Sequence, residues 1–112
     1  MGRASHELLH GTLETLILKV LEGEPRHGYG IVRAIDAATA GAVEVEDGSL
    51  YPALYRLEKQ ALIRGDWGVS DAGRRARFYR LTSKGARALA ARTKTWEQFA
   101  GGVSRLLLGR RP

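Results

Sequence analysis

The pattern of apolar and polar residues predicts two amphipathic helices over 12–39. An apolar stripe at helical spacing runs along 12–22 and contains Leu13, Leu16, Ile17, Val20 and Leu21. Residues at these spacings share one face of an α-helix, and Thr12 is suited to cap its start. A second helix is predicted over 27–39, with an inward face of Ile31, Ala34, Ile35 and Ala38. Each helix is therefore expected to cover one side of a small core.

A third helix is predicted directly after these two. Leu50, Leu54 and Leu57 are spaced for one helical face, so a helix over 48–59 would bury them and expose its opposite side. The cap is expected at Asp47, Gly48 or Ser49. Pro52 would then lie in or near the first turn, where a missing N–H matters little.

The next predicted element is a hairpin with strands over 62–69 and 77–82. Its turn is Ser70-Asp71-Ala72-Gly73, since Asp and Gly tolerate the backbone angles of a tight connection. The alternation in Val43-Glu44-Val45 predicts a further short strand that closes the same sheet.

A long last helix is predicted to begin after Thr82 or Ser83 and to end at Gly109. Apolar and small residues recur along it at alternating spacings of three and four: Ala86, Leu89, Thr93, Trp96, Ala100, Val103 and Leu107. This a/d pattern is typical of a helix that packs against another helix. Because a small monomer cannot cover such a seam, we expect a homodimer with its interface over 83–108.

The order of these elements indicates a mainly α fold with a small antiparallel sheet. It predicts a winged helix-turn-helix over 1–82, followed by a C-terminal dimerisation helix and tail over 83–112. In such a fold the third helix suits a DNA major groove, and the hairpin reaches the flanking backbone or minor groove.

The charge distribution favours a polyanionic partner. The formal net charge is +6 and the isoelectric point is about 10.2. Eight basic residues and one acid fall within 68–94, which covers the hairpin and the segment after it. A basic cluster on a hairpin tip is the electrostatic footprint of a nucleic-acid-binding protein.

The composition argues against several other classes. The chain has no cysteine, which excludes disulfides and thiolate metal sites. His6 and His10 are four residues apart, but no suitable third ligand accompanies them, so neither a metal nor another cofactor is predicted. No catalytic constellation is apparent. No membrane span or signal peptide is apparent, and a cytoplasmic location is expected.

Several short motifs, taken in order, resemble the PadR-like family of bacterial transcriptional regulators. They span Gly11 to about Lys94 and include Gly11-Thr12-Leu13-Glu14, His27-Gly28-Tyr29-Gly30-Ile31, Gly48-Ser49-Leu50-Tyr51-Pro52-Ala53-Leu54, Arg56-Leu57-Glu58, Gly73-Arg74-Arg75 and Tyr79-Arg80-Leu81-Thr82. The resemblance implies a homodimeric DNA-binding repressor whose C-terminal helix forms the interface. Gly30 departs from the pattern, because a larger residue is common there.

The candidate DNA contacts lie on the third helix, at the start of the second helix and on the hairpin. They are Ser49, Tyr51, Pro52, Tyr55, Arg56 and Lys59, then Tyr29, and finally Arg74, Arg75 and Arg77. Arg and Lys can donate to guanine edges or phosphates, and a narrow minor groove attracts arginine. Tyr51 has an alternative role, which is packing on the second helix.

The candidate dimer contacts are Leu89, Thr93, Trp96, Ala100, Val103 and Leu107. Trp96 is also a candidate site for a small aromatic or cationic effector, because small residues flank its ring along the seam. Two alternative functions stay open: a winged helix that binds another protein, and a basic protein that coats nucleic acid without sequence preference.

Overall fold

The computed structural model describes residues 11–109 and confirms the expected fold class. Three helices and a three-stranded antiparallel sheet precede a long fourth helix. The sheet has the strand order β1-β3-β2. In chain order the elements are α1 (Leu13–Val20), β1 (Arg26–His27), α2 (Gly28–Ala38), α3 (Asp47–Lys59), β2 (Ile63–Val69), β3 (Arg75–Leu81) and α4 (Ser83–Leu108).

The apolar faces of α1, α2 and α3 meet in one core. Leu50, Leu54 and Leu57 of α3 are each at most 1% exposed, as the leucine spacing predicted. They pack with buried residues of the two preceding helices, which include Ile17, Leu18, Ile31 and Ile35. Ala38 was expected to face inward but is exposed, because α2 ends there.

The third helix begins earlier than predicted. Glu46 is its N-cap, and the Glu46 carbonyl accepts hydrogen bonds from the backbone N–H groups of Ser49 and Leu50, both at 2.9 Å. Pro52 therefore lies in the second turn. Since proline has no N–H, the Gly48 carbonyl lacks its ordinary intrahelical donor, and this acceptor falls on the outer side of the helix.

The strand predicted at Val43-Glu44-Val45 is wrong. These residues form the loop between α2 and α3, where Val45 is 5% exposed and its neighbours Glu44 and Glu46 point to solvent. The alternation therefore marks a loop with one side chain anchored in the core. Residues 26–27 form the third strand instead, as β1, with Arg26 opposite Tyr79 and His27 opposite Phe78.

Hydrogen bonds to main-chain carbonyls join the base of the hairpin to the start of α4. The Thr82 hydroxyl caps α4 by accepting from the Gly85 N–H at 2.9 Å, and it donates to the Ala61 carbonyl at 2.7 Å. Gly85 lies so close to the Leu62 carbonyl oxygen that a Cβ there would overlap it. We call this contact between residues 60–62 and 82–85 the hairpin–helix corner.

The first turns of α4 belong to the core and not to a separate unit. Leu89 is 4% exposed and packs in the same cluster as the other helices. The start of α4 therefore packs with the segment before it, and the boundary expected between 82 and 83 stays a prediction. Leu89 also has almost no surface left for a partner. It is therefore a core residue of its own chain and not a contact of the dimer interface, contrary to the prediction. Beyond Leu89 the helix projects from the core and ends at Gly109, which has a left-handed φ of 68°.

Candidate nucleic-acid interface

The outer side of α3 carries aromatic and basic side chains. Pro52, Tyr55 and Lys59 are spaced three and four residues apart, so they share the side opposite the buried leucines. Tyr55 is 66% exposed, and the Lys59 ammonium lies 5.8 Å from the centroid of its ring. This side therefore offers hydrogen-bond donors and positive charge to a ligand in front of the helix.

Tyr51 occupies the flank of α3 that faces α2. A Cβ added to Gly28 would lie 2.8 Å from the Tyr51 hydroxyl oxygen, so only glycine leaves room for this ring at the start of α2. Tyr51 is nevertheless 52% exposed. The ring therefore packs on α2, which is the alternative role considered for it, and half of its surface stays accessible, so its contact with DNA stays a prediction.

The start of α2 is held by His27. Its Nδ1 accepts a hydrogen bond from the Gly30 N–H at 3.1 Å, and its ring meets Phe78 edge-on with centroids 5.3 Å apart. Tyr29 follows in the first turn and is 66% exposed. The Arg33 guanidinium lies 5.6 Å from the centroid of its ring. The helix terminus is therefore fixed in place beside an exposed aromatic residue.

The tip of the hairpin presents exposed arginines. The turn closes through a hydrogen bond from the Ser70 N–H to the Arg74 carbonyl at 2.8 Å, and Gly73 adopts a left-handed φ of 77°. Arg74 and Arg75 both follow this glycine and are exposed. We call the hairpin from β2 to β3 the wing.

A groove of about 1120 Å³ separates the wing from the start of α2. It is lined by five arginines and two carboxylates, which leaves an excess of positive charge. The groove brings together half of the predicted DNA contacts, namely Tyr29, Tyr51, Arg74, Arg75 and Arg77. The other half does not line it and lies on α3: Ser49, Pro52, Tyr55, Arg56 and Lys59.

Two of the predicted arginines are paired with carboxylates inside the chain. Arg56 Nε donates to Glu14 Oε2 at 2.7 Å on the flank of α3 that faces α1, and Arg92 of α4 approaches the other oxygen of Glu14 at 3.4 Å. Arg77 is paired with Glu58, and this hydrogen bond raises the pKa of Arg77. Sequence reasoning missed both carboxylates.

Trp67 on β2 was also missed by the sequence reasoning. It is 60% exposed, and the Arg75 guanidinium lies 4.5 Å from its ring centroid. A signal was available, because Trp67 and Val69 alternate with polar or small residues on a strand that flanks the basic turn. This pattern indicates the face of the strand on which Trp67 lies, but it does not indicate which arginine stacks on its ring.

The projecting half of α4 exposes more apolar surface than the predicted seam contained. Trp96 is 53% exposed, Val103 37% and Leu107 74%, in agreement with an unfilled seam. Phe99 and Leu106, which were not predicted, are 69% and 84% exposed. Their spacing of three from Trp96 and Val103 would have revealed them as a second edge of the same stripe.

The described residues contain no group of His, Cys, Asp or Glu that could hold a metal ion. His6 and His10 lie outside these residues. Along the described part of the chain, each helix is too short or too polar to cross a bilayer.

Comparison with known proteins gives a consistent result. The family model described as the transcriptional regulator PadR-like family matches residues 17–91. The crystal structure of a PadR-like transcriptional regulator from Bacillus cereus has a TM-score of 0.78 and 31% identity, covering 93% of this chain and 99% of that one.

Two further relatives agree with this match. A PadR-family transcriptional regulator from Eggerthella lenta has a TM-score of 0.74 and 36% identity, covering 90% of this chain and 86% of that one. The transcriptional regulator YqjI of Escherichia coli is 37% identical over 62 residues, which are 55% of this chain and 30% of that protein. With a family match over most of the described fold and a basic groove beside α3, the chain belongs to the PadR-like family and is a DNA-binding transcriptional regulator, not an enzyme.

Proposed function

We propose that the protein is a homodimeric repressor that binds an inverted-repeat operator in the cytoplasm. The observation that carries this proposal is the groove between α2 and the wing, where five arginines surround two exposed tyrosines. This arrangement suits a DNA backbone, because arginine side chains, tyrosine hydroxyls and helix N-termini are common donors to phosphate oxygens.

The outer side of α3 and the groove contact different parts of the DNA. The outer side of α3, with Pro52, Tyr55 and Lys59, enters the major groove and contacts base edges and the nearer phosphates. The groove of the protein between α2 and the wing then receives the adjacent DNA backbone. Arg74 and Arg75 at the tip reach the flanking phosphates or a narrow minor groove, where negative potential attracts arginine.

Dimerisation places two such surfaces on one DNA. The exposed stripe of α4 pairs with its copy around a two-fold axis, through Trp96, Ala100, Val103 and Leu107, with Thr93 at its edge. Such a dimer recognises two half-sites with centres about 34–36 Å apart, which is one turn of B-DNA. Occupying an operator in a promoter would exclude the polymerase, which is the basis of the proposed repression.

The decisive experiment is a binding competition between the chain's own upstream DNA and a random duplex of equal length at matched salt. Preferential binding to the upstream DNA with an inverted-repeat footprint is expected. Equal affinity would instead favour a non-specific coating protein. A partner interaction that ignores both salt and the wing arginines would favour a protein-binding module.

A pair of matched variants connects the result to the groove. Arg75→Ala removes a guanidinium from the wing, and Arg87→Ala removes the same charge from an exposed position on α4 outside the groove. Only Arg75→Ala should weaken binding strongly. A promoter–reporter assay then decides between repression and activation.

A further inference from the structure

The wing is connected to α3, the recognition helix of the proposed function, by a chain of side chains that begins at Glu58. On the hairpin, Trp67 of β2 lies opposite Arg77 of β3, and Val69 lies opposite Arg75. Because directly opposed residues of an antiparallel pair lie on the same side of the sheet, the ring and both guanidiniums share one face. This face continues the side of the sheet that Tyr79 contributes to the core.

Arg77 crosses from the wing to α3 in a space that a glycine provides. A Cβ added to Gly65 would lie 2.5 Å from Arg77 Nε, so a larger residue there would displace the guanidinium. On α3 the guanidinium donates to the Glu58 carboxylate, and both side chains are about one-third exposed, at 35% and 33%. Glu58 comes seven residues after Tyr51 and lies on the same flank of α3, and its contact with Arg77 places this end of the flank against the wing.

Trp67 extends this contact toward the tip. The Arg77 guanidinium lies 6.0 Å from the centroid of the Trp67 ring, and the Arg75 guanidinium lies 4.5 Å from it. Guanidinium groups over an indole face are attracted by the ring's quadrupole. An unbroken series of contacts thus connects the end of the recognition helix with the exposed arginine near the turn.

We propose that Glu58 is a positioning residue that sets the wing for DNA through Arg77 and Trp67. Arg77 then acts as a structural connector, while Arg74 and Arg75 supply the contacts to DNA. This inference rests on the proposed DNA-binding function. It predicts that removing the negative charge of Glu58 weakens binding to DNA. Simple electrostatics predicts the opposite, because DNA is a polyanion and repels a carboxylate.

The test compares two substitutions that each remove one negative charge. Glu58→Gln should weaken operator binding about threefold to tenfold, since it loses a charged hydrogen bond that orients the wing. Glu22→Gln removes the same charge and also breaks one ion pair, with Lys19, but it lies outside both α3 and the groove, so it should bind as tightly as the parent. If Glu58→Gln also binds as tightly as the parent, the inference is overturned.

A double-mutant cycle identifies the route of the effect. In an Arg77→Gln background the connector is already absent, so adding Glu58→Gln should cause no further loss and should tighten binding slightly. The same loss in both backgrounds would show that Glu58 does not act through Arg77. Thermal unfolding of each variant verifies that the fold is retained.

A measurement on the protein without DNA tests the inference independently of the proposed function. Heteronuclear NOE values of the backbone amides in 70–74 report motion on the picosecond-to-nanosecond timescale. They should fall in Glu58→Gln and in Trp67→Leu, but not in Glu22→Gln. Unchanged values in both of the first two variants would refute the positioning role, even for a protein that binds no operator.

Discussion

Replacing Trp96 by glutamate should separate the proposed dimer into monomers of 12.3 kDa. Trp96 lies on the half of α4 that projects beyond the core, and 53% of its surface is exposed in the chain by itself. In a dimer, the two copies of this ring would be covered near the two-fold axis. A carboxylate in the same place would have to leave water without a partner charge.

The size of the effect follows from the exposed area. A tryptophan buries about 150–250 Å² when it is covered, so 53% exposure leaves roughly 80–130 Å² per protomer for the interface. At about 25 cal/mol per Å², full coverage contributes ~2–3 kcal/mol per ring and ~4–6 kcal/mol per dimer. Losing this contribution raises the dissociation constant of the dimer about 10³- to 10⁴-fold, before the desolvation of the carboxylate is added.

Light scattering after size exclusion is the direct assay. The parent should have twice the monomer mass, and Trp96→Glu should have the monomer mass at the same loading. Gln98→Glu is the matched control, because Gln98 is exposed two residues away, on the opposite side of the same helix. It adds the same charge and should stay dimeric.

Operator binding should follow the change in mass. A monomer reaches one half-site at a time, so Trp96→Glu should lose affinity for the full inverted repeat and retain only weak binding to a single half-site. If Trp96→Glu runs as a dimer with the parent's affinity, the projecting stripe of α4 is not the interface.

Four other substitutions or ligands test separate parts of the molecule. Arg75→Ala should reduce the slope of log affinity against log salt by about one for each phosphate that the arginine neutralises; an unchanged slope would show that Arg75 does not bind phosphate. Arg56→Ala should lower stability by less than about 1 kcal/mol, because its ion pair is half exposed, and it should leave base preference unchanged; an altered preference in a binding-site selection would instead make it a base contact. Gly85→Ala should destabilise the fold by about 1–3 kcal/mol or more in chemical denaturation, because the added methyl meets a main-chain carbonyl, and full stability would contradict the close packing. If an effector relieves repression beside Trp96, planar aromatic or cationic compounds should quench its fluorescence in a Trp67→Phe background and change DNA affinity; compounds that do neither would leave the ring with a packing role only.

Much of the fold was accessible from periodicity, because its long elements each carry a complete apolar face. The leucines of α3 and the turn chemistry of the wing were sufficient to predict the helix and the hairpin. The strand β1 was not predictable in this way, since its two residues are too few to show any alternation. Pro52 was placed one turn too early because the cap lies at Glu46, which is not one of the residues that usually mark a helix start.

The candidate site was predicted in composition but not in its internal pairing. Glu14 and Arg56 are separated by 42 positions, so no local pattern indicates that they meet. The same limit applies to Leu89. An a/d spacing shows that a residue faces another helix, but it does not show whether that helix belongs to the same chain.

The hairpin–helix corner has a consequence for how such proteins can diverge. It is built largely from main-chain atoms of 60–62, which accept from Lys84 and Thr82 and leave space only for glycine at position 85. Its geometry therefore depends little on the side chains of α4 beyond Leu89. That part of the helix can change in length and sequence, and so acquire a new partner or effector, while the DNA-reading half keeps its shape. A change of regulatory input would thus leave the half-site sequence that each protomer reads unchanged, while a new dimer contact would change the spacing between the two half-sites.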